Sequence, residues 1–290
     1  MTGSTHPPTL AERVQFAAHR LVDAGLSGTD ATVDAEVLAR HILSWTRSRY
    51  LSALRDPVPA GLGTAYDALI ARRCQREPVS QITGGREFWG RNIRVTRNVL
   101  TPRPETELLV EVALELVPAV EELRVLDLGT GSGCLAVTLA AELPASRVTA
   151  VDLSPVALEV ARSNAIRHGV TERIEFVEGN WTNGLVGDFH LIVSNPPYVR
   201  DADTDRLQPE VRDYEPWLAL TAGPDGLDAF RSIVEGVGVL LAPDGRLLLE
   251  LGAGQAEDLR ALVEARGTLR VTNIRDDLQG IPRAAVLRRA

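Results

Sequence analysis

From residue 105 onward, short apolar strands alternate with helical segments, and this alternation limits the fold more than any other feature of the chain. "LRVLDL" (123–128) leads to a helix from about 133, "RVTAVD" (147–152) to a helix from 155, and "RIEFVE" (173–178) to a short link. "FHLIVS" (189–194) is followed by a long loop, a helix near 226–241, "RLLLEL" (246–251), a helix near 254–265, "TLRVTNI" and a final "AAVLRR". Strands that are apolar along their length are buried on both faces, and the helices between them supply the crossovers. The expected architecture is α/β, a mostly parallel, doubly wound sheet. In such sheets a ligand sits beyond the carboxyl ends of the strands, near the point where strand order reverses.

The first part of the chain has a different texture. Residues 10 to 77 show helical spacing without strand runs. "LAERVQFAAHRLVDAG" carries Leu10, Val14, Ala17, Ala18 and Leu21 on one face and ends in a glycine. "DATVDAEVLARHILSW" has an expected apolar face of Val33, Val37, Leu38 and Leu43, and "GTAYDALIARRCQ" forms a third helix before Pro78. The domains expected are a small helical bundle over 1–85, a β-hairpin linker over 86–104 and the α/β domain over 105–290. "REFWGRNIRVTR" reads as the hairpin, with a Gly-Arg-Asn turn. Its basic run (Arg86, Arg91, Arg94, Arg97, Arg103) is either a solvated face or a docking surface.

Composition removes several chemistries. The chain has no lysine, so its 31 basic residues are all arginine. That excludes Schiff-base catalysis, a lysine general base and a P-loop, whose glycine turn needs its Lys. Cys74 and Cys134 match no metal spacing, and no metal site is expected. No apolar run approaches the roughly 20 residues of a membrane span, and the opening stretch lacks the basic and apolar regions of a secretory signal. A cytoplasmic location is the expectation. A net charge of −8 gives no general support for holding a nucleic-acid backbone.

The ends of the strands carry the candidate chemistry. The first ends in "DLGTGSGCLA" (127–136), where Gly129, Gly131 and Gly133, with Thr130 and Ser132, allow a tight turn and a close ligand approach. The spacing departs from the dinucleotide pattern G-x-G-x-x-G. The second ends at Asp152, placed where a carboxylate can accept both hydroxyls of a ribose; its alternative role is a helix cap, for which Ser154 before Pro155 is better suited. The third is followed by "EGNWTN", in which Trp181 either offers a face to an adenine or packs as an ordinary aromatic.

The fourth strand runs into "SNPPYV" (194–199). Proline stops the strand and stiffens the chain, leaving a rigid elbow that presents an amide and a phenol. Hydride transfer has no use for such an elbow, whereas methylation of a planar nitrogen does. The lone pair of an amide nitrogen is delocalised, so it is a poor nucleophile. Two acceptors, the Asn195 side-chain oxygen and the Pro196 carbonyl, would fix that nitrogen and favour charge build-up as it attacks. Tyr198 can pack its ring against the planar group. The catalytic candidates are therefore Asn195, Pro196 and Tyr198, with Pro197 completing the substrate-holding elbow.

These stretches, with "REFWG" (86–90), "TPRPETE" (101–107), "VLDLGTGSG" (125–133), "AVDLSP" (150–155), "EPWLAL" (215–220) and "DLQGIPR" (277–283), resemble a Rossmann-like class I S-adenosylmethionine-dependent methyltransferase. Within that class the chain is similar to the release-factor glutamine N5-methyltransferase family of the PrmC/HemK type. The resemblance implies S-adenosylmethionine as methyl donor, S-adenosylhomocysteine as product, and the Gly-Gly-Gln glutamine of peptide chain release factors as substrate. It implies that Gly129 to Gly133 line the methionine part of the donor, Asp152 its ribose and Trp181 its adenine. It places Asn195 against both donor and substrate, and Asn195 to Tyr198 around the glutamine amide. The sequence departs from the family at Asn180, where an acid often precedes the Trp. The alternatives are a glutamine methyltransferase acting on a large-subunit ribosomal protein, and an adenine-N6 or guanine-N2 nucleic-acid methyltransferase. For the latter the chain offers neither the charge nor a spare target-recognition domain.

Overall fold

A computed structural model describes residues 7–117 and 122–290, so the first six residues of the opening stretch lie outside the described residues. The chain forms two compact units. One holds the residues up to Gly84 together with Pro209–Tyr214; the other holds Gly85–Gln208 and Glu215–Ala290.

The first unit is helical. α1 (Leu10–Asp23) starts at a reciprocal capping box between Thr9 and Glu12 and buries Leu10, Val14, Ala17, Ala18 and Leu21, the five residues its periodicity selects. α2 (Gly28–Leu43) is capped by Ser27, and of the expected face Leu38 is buried and Leu43 packs at the edge of the cluster, while the rest of the buried face is alanine. It buries Ala31, Ala35, Leu38 and Ala39, while Val33 is 54% exposed. Alanines leave room for a large neighbour: Tyr66 is fully buried and donates its hydroxyl to the Ala35 carbonyl at 2.9 Å. α3 (Arg47–Ser52), α4 (Gly63–Cys74), which carries Tyr66, and α5 (Val79–Thr83) complete the bundle around one apolar cluster.

The distant segment Pro209–Tyr214 joins this bundle through charge. Arg73 is 5% exposed and donates to Asp34 and Glu210, both at 2.7 Å, and Arg76 donates to the other Glu210 oxygen at 2.7 Å. Gln81 donates to the Tyr214 carbonyl, and the Tyr214 hydroxyl to the Gln75 carbonyl. Nothing in hydrophobic spacing points to this association.

The second unit opens with a hairpin of β1 (Gly85–Phe88) and β2 (Arg91–Arg94). Its turn is Trp89-Gly90, with φ of 49° and 70°, and not the expected Gly-Arg-Asn. Arg91 pairs with Phe88 and Arg94 with Gly85, so both arginines belong to the strand. Two consecutive positive φ values match the strand twist, which is why two-residue turns of this kind are favoured. α6 (Glu107–Leu116) leads to β3 (Leu123–Leu128), α7 (Cys134–Glu142), β4 (Ser146–Asp152), α8 (Pro155–Arg167), β5 (Ile174–Glu178) and β6 (Phe189–Ser194). After a helix at Asp228–Val237 come β7 (Leu241–Glu250), a helix at Ala256–Arg266, β8 (Leu269–Asp276) and β9 (Pro282–Arg289).

The seven strands lie in the order β5-β4-β3-β6-β7-β9-β8. The first five are parallel; β9 runs antiparallel to β7, and β8 to β9. Apolar clusters cover both faces, one under α6 and α7, the other under the helices at Asp228–Val237 and Ala256–Arg266. The chain winds outward from β3 to β5, then returns to place β6 on the other side of β3. The reversal of order therefore falls between β3 and β6, the strands that end in the glycine turn and the Asn-Pro-Pro-Tyr elbow.

Replacing Arg73 by Met removes the cation paired with Asp34 and half of the pairing of Glu210. An uncompensated buried carboxylate costs about 3 kcal/mol, so Arg73→Met should lower the urea midpoint of the helical unit well beyond the effect of Arg72→Met, whose partner is the local Glu77. Far-ultraviolet circular dichroism during denaturation checks it, and equal midpoints would count against the buried pair as the anchor of Pro209–Tyr214.

Candidate active site

The carboxyl ends of four parallel strands are knitted together by short bonds. Ser194, fully buried at the end of β6, donates its hydroxyl to the Leu128 carbonyl at the end of β3, at 2.7 Å. Gly129 and Thr130 donate their amides to the Val151 carbonyl of β4, each at 2.9 Å. Gly179, just beyond β5, donates to the Asp152 carbonyl at 3.0 Å. Above these ends lies a cavity of about 380 Å³. Its walls include Gly129 to Ser132, Asp152, Asn180, Trp181, Asn195 and Pro197, so most of the candidate residues read from the four strand ends share one space.

Within the glycine turn the residues differ in what they do. Gly129 has φ +71°, and a Cβ on it would lie 3.3 Å from the Trp181 ring, so the turn passes directly under that aromatic. Trp181 itself holds φ 52°, a left-handed conformation uncommon for a bulky residue, and packs against the apolar cluster beneath it. Gly131, also left-handed, has nothing closer to a Cβ position than the Gly129 carbonyl at 4.0 Å, which leaves open space beside it in the cavity. Gly133 is not a wall residue. A Cβ there would meet the Ala161 Cβ at 2.9 Å, so this glycine lets α7 pack closely on α8.

Asp152 is tied to the turn. Its carboxylate accepts from the Gly131 amide at 2.8 Å and the Ser154 amide at 2.9 Å, while Ser154 caps α8 by accepting from Ala157. One bond to each oxygen leaves a lone pair on each for a ligand hydroxyl. Burial raises its pKa, with the amide bonds opposing.

At the elbow, the Asn195 amide nitrogen donates to the Thr106 hydroxyl oxygen at 2.9 Å, and the Thr106 hydroxyl donates to Glu250 at 2.6 Å. An ionised carboxylate can only accept, so with Glu250 ionised the Thr106 proton points to it and the Thr106 oxygen accepts from the Asn195 NH₂. The Asn195 side-chain oxygen is thereby left as the free acceptor on a residue of the cavity wall. Pro196 is buried. Tyr198 lies outside the cavity wall: a Cβ on Gly252 would come within 2.8 Å of its ring, and the Tyr198 carbonyl accepts from the buried Gln255, which also braces Gly226 and Gly252. Thr106, Glu250 and Gln255 escaped the sequence reading. Only the position of Thr106 inside "PRPETE" could have drawn attention to it.

The basic run beside the hairpin is largely used internally. Arg91 pairs with Glu142, Arg94 donates to Ser163, and Arg103 pairs with the buried Glu215 of "EPWLAL", whose other oxygen accepts from the Thr101 amide. Arg86 and Arg97 remain exposed. Asn164, fully buried in α8, fixes the hairpin by bonding both the amide and the carbonyl of Arg94, and it also donates to the Ser132 carbonyl in the glycine turn. Cys134 lines the cavity, but burial and the Asp127 carboxyl push its thiol up to about 12, which keeps that thiol protonated near neutral pH.

Comparison with known proteins agrees with this architecture. Residues 104–210 match the family described as methyltransferase small domain. The fold is shared with a methyltransferase from Pyrococcus furiosus (TM-score 0.52, 18% identity, 75% of this chain and 96% of that one). It is shared also with ribosomal protein L11 methylase from Lactobacillus delbrueckii subsp. bulgaricus (TM-score 0.50, 20% identity, 70% and 88%). The larger unit is a methyltransferase domain of Rossmann-like fold. Residues 12–84 match the PrmC N-terminal domain. Release factor glutamine methyltransferase from Cereibacter sphaeroides is 47% identical over 270 residues, 93% of this chain and 95% of that one. The protein of the same name from Deinococcus radiodurans is 43% identical over 282 residues, 97% and 99%. The chain belongs to the release factor glutamine methyltransferase family.

Under the glycine turn lies Asp127, whose Oδ2 accepts from Thr130 and Ala136 while Oδ1 is buried without a partner. Burial pushes this carboxyl up to about 7. A folded-state pKa above the unfolded one contributes stability that is complete at low pH and lost as pH rises through about 7. Between pH 6 and 8 wild type should therefore lose about 1 kcal/mol more stability than Asp127→Asn. Urea titrations of both proteins at the two pH values check this, and parallel pH trends would show that Asp127 does not titrate there.

Proposed function

We propose that this protein transfers a methyl group from S-adenosylmethionine to the side-chain amide nitrogen of the glutamine in the Gly-Gly-Gln motif of peptide chain release factors. The observation that carries this reading is the Asn195 amide, whose NH₂ is committed to Thr106 so that its oxygen is offered to an N–H donor beside the glycine turn. An acceptor held in that way suits a substrate amide. Family membership supports the same substrate, through relatives that match nearly the whole chain. The ribosomal-protein alternative has no comparable support, since the likeness to the L11 methylase extends to fold alone.

The cavity fits S-adenosylmethionine on its own terms. Gly131 leaves open space at the turn, Asp152 keeps a lone pair on each oxygen, and Trp181 lies over Gly129. In this reading Gly129, Thr130, Gly131 and Ser132 take the amino-acid part of the donor, with Gly133 supporting the turn. Asp152 takes the ribose and Trp181 the adenine. The bound donor supplies a methyl group already activated on a sulfonium sulfur, so the protein needs no strong base. The work left to the chain is orientation. The Asn195 oxygen and the Pro196 carbonyl accept the two amide protons of the substrate, holding its nitrogen with the lone pair directed at the methyl group. Pro196 and Pro197 keep these acceptors from drifting, and Tyr198 supports the elbow from behind. The methylated amide then sheds a proton.

We further infer the division of labour read from the sequence: residues 1–85 recognise the protein substrate, 86–104 link, and 105–290 perform the chemistry. The protein acts in the cytoplasm with release factors. No helix among the described residues is long and apolar enough to cross a membrane.

Mass spectrometry of a purified release factor, incubated with this protein and S-adenosylmethionine, should find one added methyl group on the Gly-Gly-Gln glutamine. A factor left unmodified would sink the proposal. Asn195→Ala should reduce single-turnover rate about a hundred-fold, on the order of 3 kcal/mol, with a smaller effect on donor affinity. Asp152→Ala should instead weaken S-adenosylhomocysteine binding about ten- to a hundred-fold by calorimetry, through loss of two charge-assisted bonds. An unchanged dissociation constant would remove Asp152 from the ribose site.

A further inference from the structure

The chain Asn195–Thr106–Glu250 brings together three segments that are remote in sequence: the end of β6, the turn before α6 and the end of β7. Thr106 and Glu250 are each 1% exposed. Burying a carboxylate is unfavourable, and an apolar residue would fill the end of a strand at no such penalty. A hydroxyl can pass a hydrogen bond in either direction, so the group at the far end of the chain decides its polarity.

We propose that Glu250, acting through Thr106, is a positioning residue that determines which end of the Asn195 amide faces the substrate. This rests on the function proposed above. With Glu250 ionised, Thr106 donates to it and accepts from the Asn195 NH₂, so the Asn195 oxygen faces outward as an acceptor. With Glu250 protonated, its hydroxyl can donate to Thr106, and the Thr106 proton is free to turn toward Asn195. The Asn195 oxygen then turns inward to accept it, and its NH₂ faces the substrate NH₂. Two donors meet, and the amide is no longer held.

Whether this polarity responds to pH depends on the groups around Glu250. Burial pushes its carboxyl up to about 7; the Thr106 bond and the cations Arg283 and Arg103 pull the other way, while Glu105 pushes it further up. Arg283 comes from β9 and is itself paired with Asp277; Arg103 and Glu105 come from the segment before α6. Tyr198 of the elbow and Cys134 of α7 also feel the Glu250 charge, but both stay neutral in this range, their own pKa values raised first by burial. The active polarity belongs to the ionised form, so turnover should rise as pH increases through about 7.

Single-turnover rates on a release factor from pH 6 to 8.5, beside S-adenosylhomocysteine affinity, test the idea. Wild type should show a rate limb rising to a plateau. Glu250→Gln keeps the shape but can donate or accept, so it should lose that limb and fall about ten-fold at the plateau. Thr106→Val removes the acceptor for Asn195 and should fall roughly ten- to a hundred-fold, whereas Thr106→Ser should restore most of the loss. Affinity for S-adenosylhomocysteine should stay within about three-fold throughout, which separates orientation from collapse of the fold. Wild-type rates in Thr106→Val, or an unaltered pH limb in Glu250→Gln, would overturn the inference while leaving the methylation intact. A wild-type protein that adds no methyl group removes the proposed function and this inference together.

Discussion

The parallel pairing of β3 with β6 is the constraint on which the rest depends. Val125, Leu126 and Asp127 lie opposite Leu191, Ile192 and Val193, and the pair closes with the Ser194 hydroxyl on the Leu128 carbonyl. From β3 the chain lays β4 and β5 on one side and β6 and β7 on the other, which opens a crevice above the central pair. One wall of that crevice is a glycine turn that exposes backbone. The other is a proline elbow that holds an amide. Neither wall could do its work if the two strands slipped by a residue, because the alternation of side chains would invert and Asp127 and Ser194 would exchange their buried surroundings for others.

Much of the fold was legible because its signals are local. Four apolar runs of strand length separated by helical periods leave little choice but a parallel sheet, and α1 buries the five residues that its spacing selects. The elbow and the glycine turn could be read for the same reason: their residue types are costly unless the backbone needs them. What escaped was contact between segments far apart. The face of α2 follows small residues that admit Tyr66, and size complementarity with a distant partner has no periodic signature. The association of Pro209–Tyr214 with the helical unit rests on buried arginine–carboxylate pairs, which look in sequence like any surface charges.

The candidate site divides along the same line. Gly129 to Ser132, Asp152, Trp181, Asn195 and Pro197 meet in one cavity, as their strand-end positions suggest. Gly133 and Tyr198 stand behind its wall, one admitting a helix and the other bracing the elbow. Glu250 was invisible because a single glutamate at the end of a strand carries no motif, and Thr106, although inside "PRPETE", gives no sign in sequence of the partners it meets. Their meaning appears only when 89 residues separate donor from acceptor on one side and 144 on the other. The supporting layer of a site is assembled by topology, and topology is what short patterns do not encode.

The absence of lysine acquires a structural sense once the buried ion pairs are known. Arg73 between Asp34 and Glu210, Arg103 on Glu215 and Arg283 on Asp277 are all guanidinium centres. A guanidinium does not surrender its proton in any environment a protein provides, whereas a desolvated ammonium does so readily. The positive half of every such pair is therefore permanent. Proton exchange within reach of neutral pH falls instead to acids such as Asp127 and Glu250, both pushed up to about 7 by burial. Within each of these ion pairs the cation is fixed, and it is the carboxyl that can answer to the solvent.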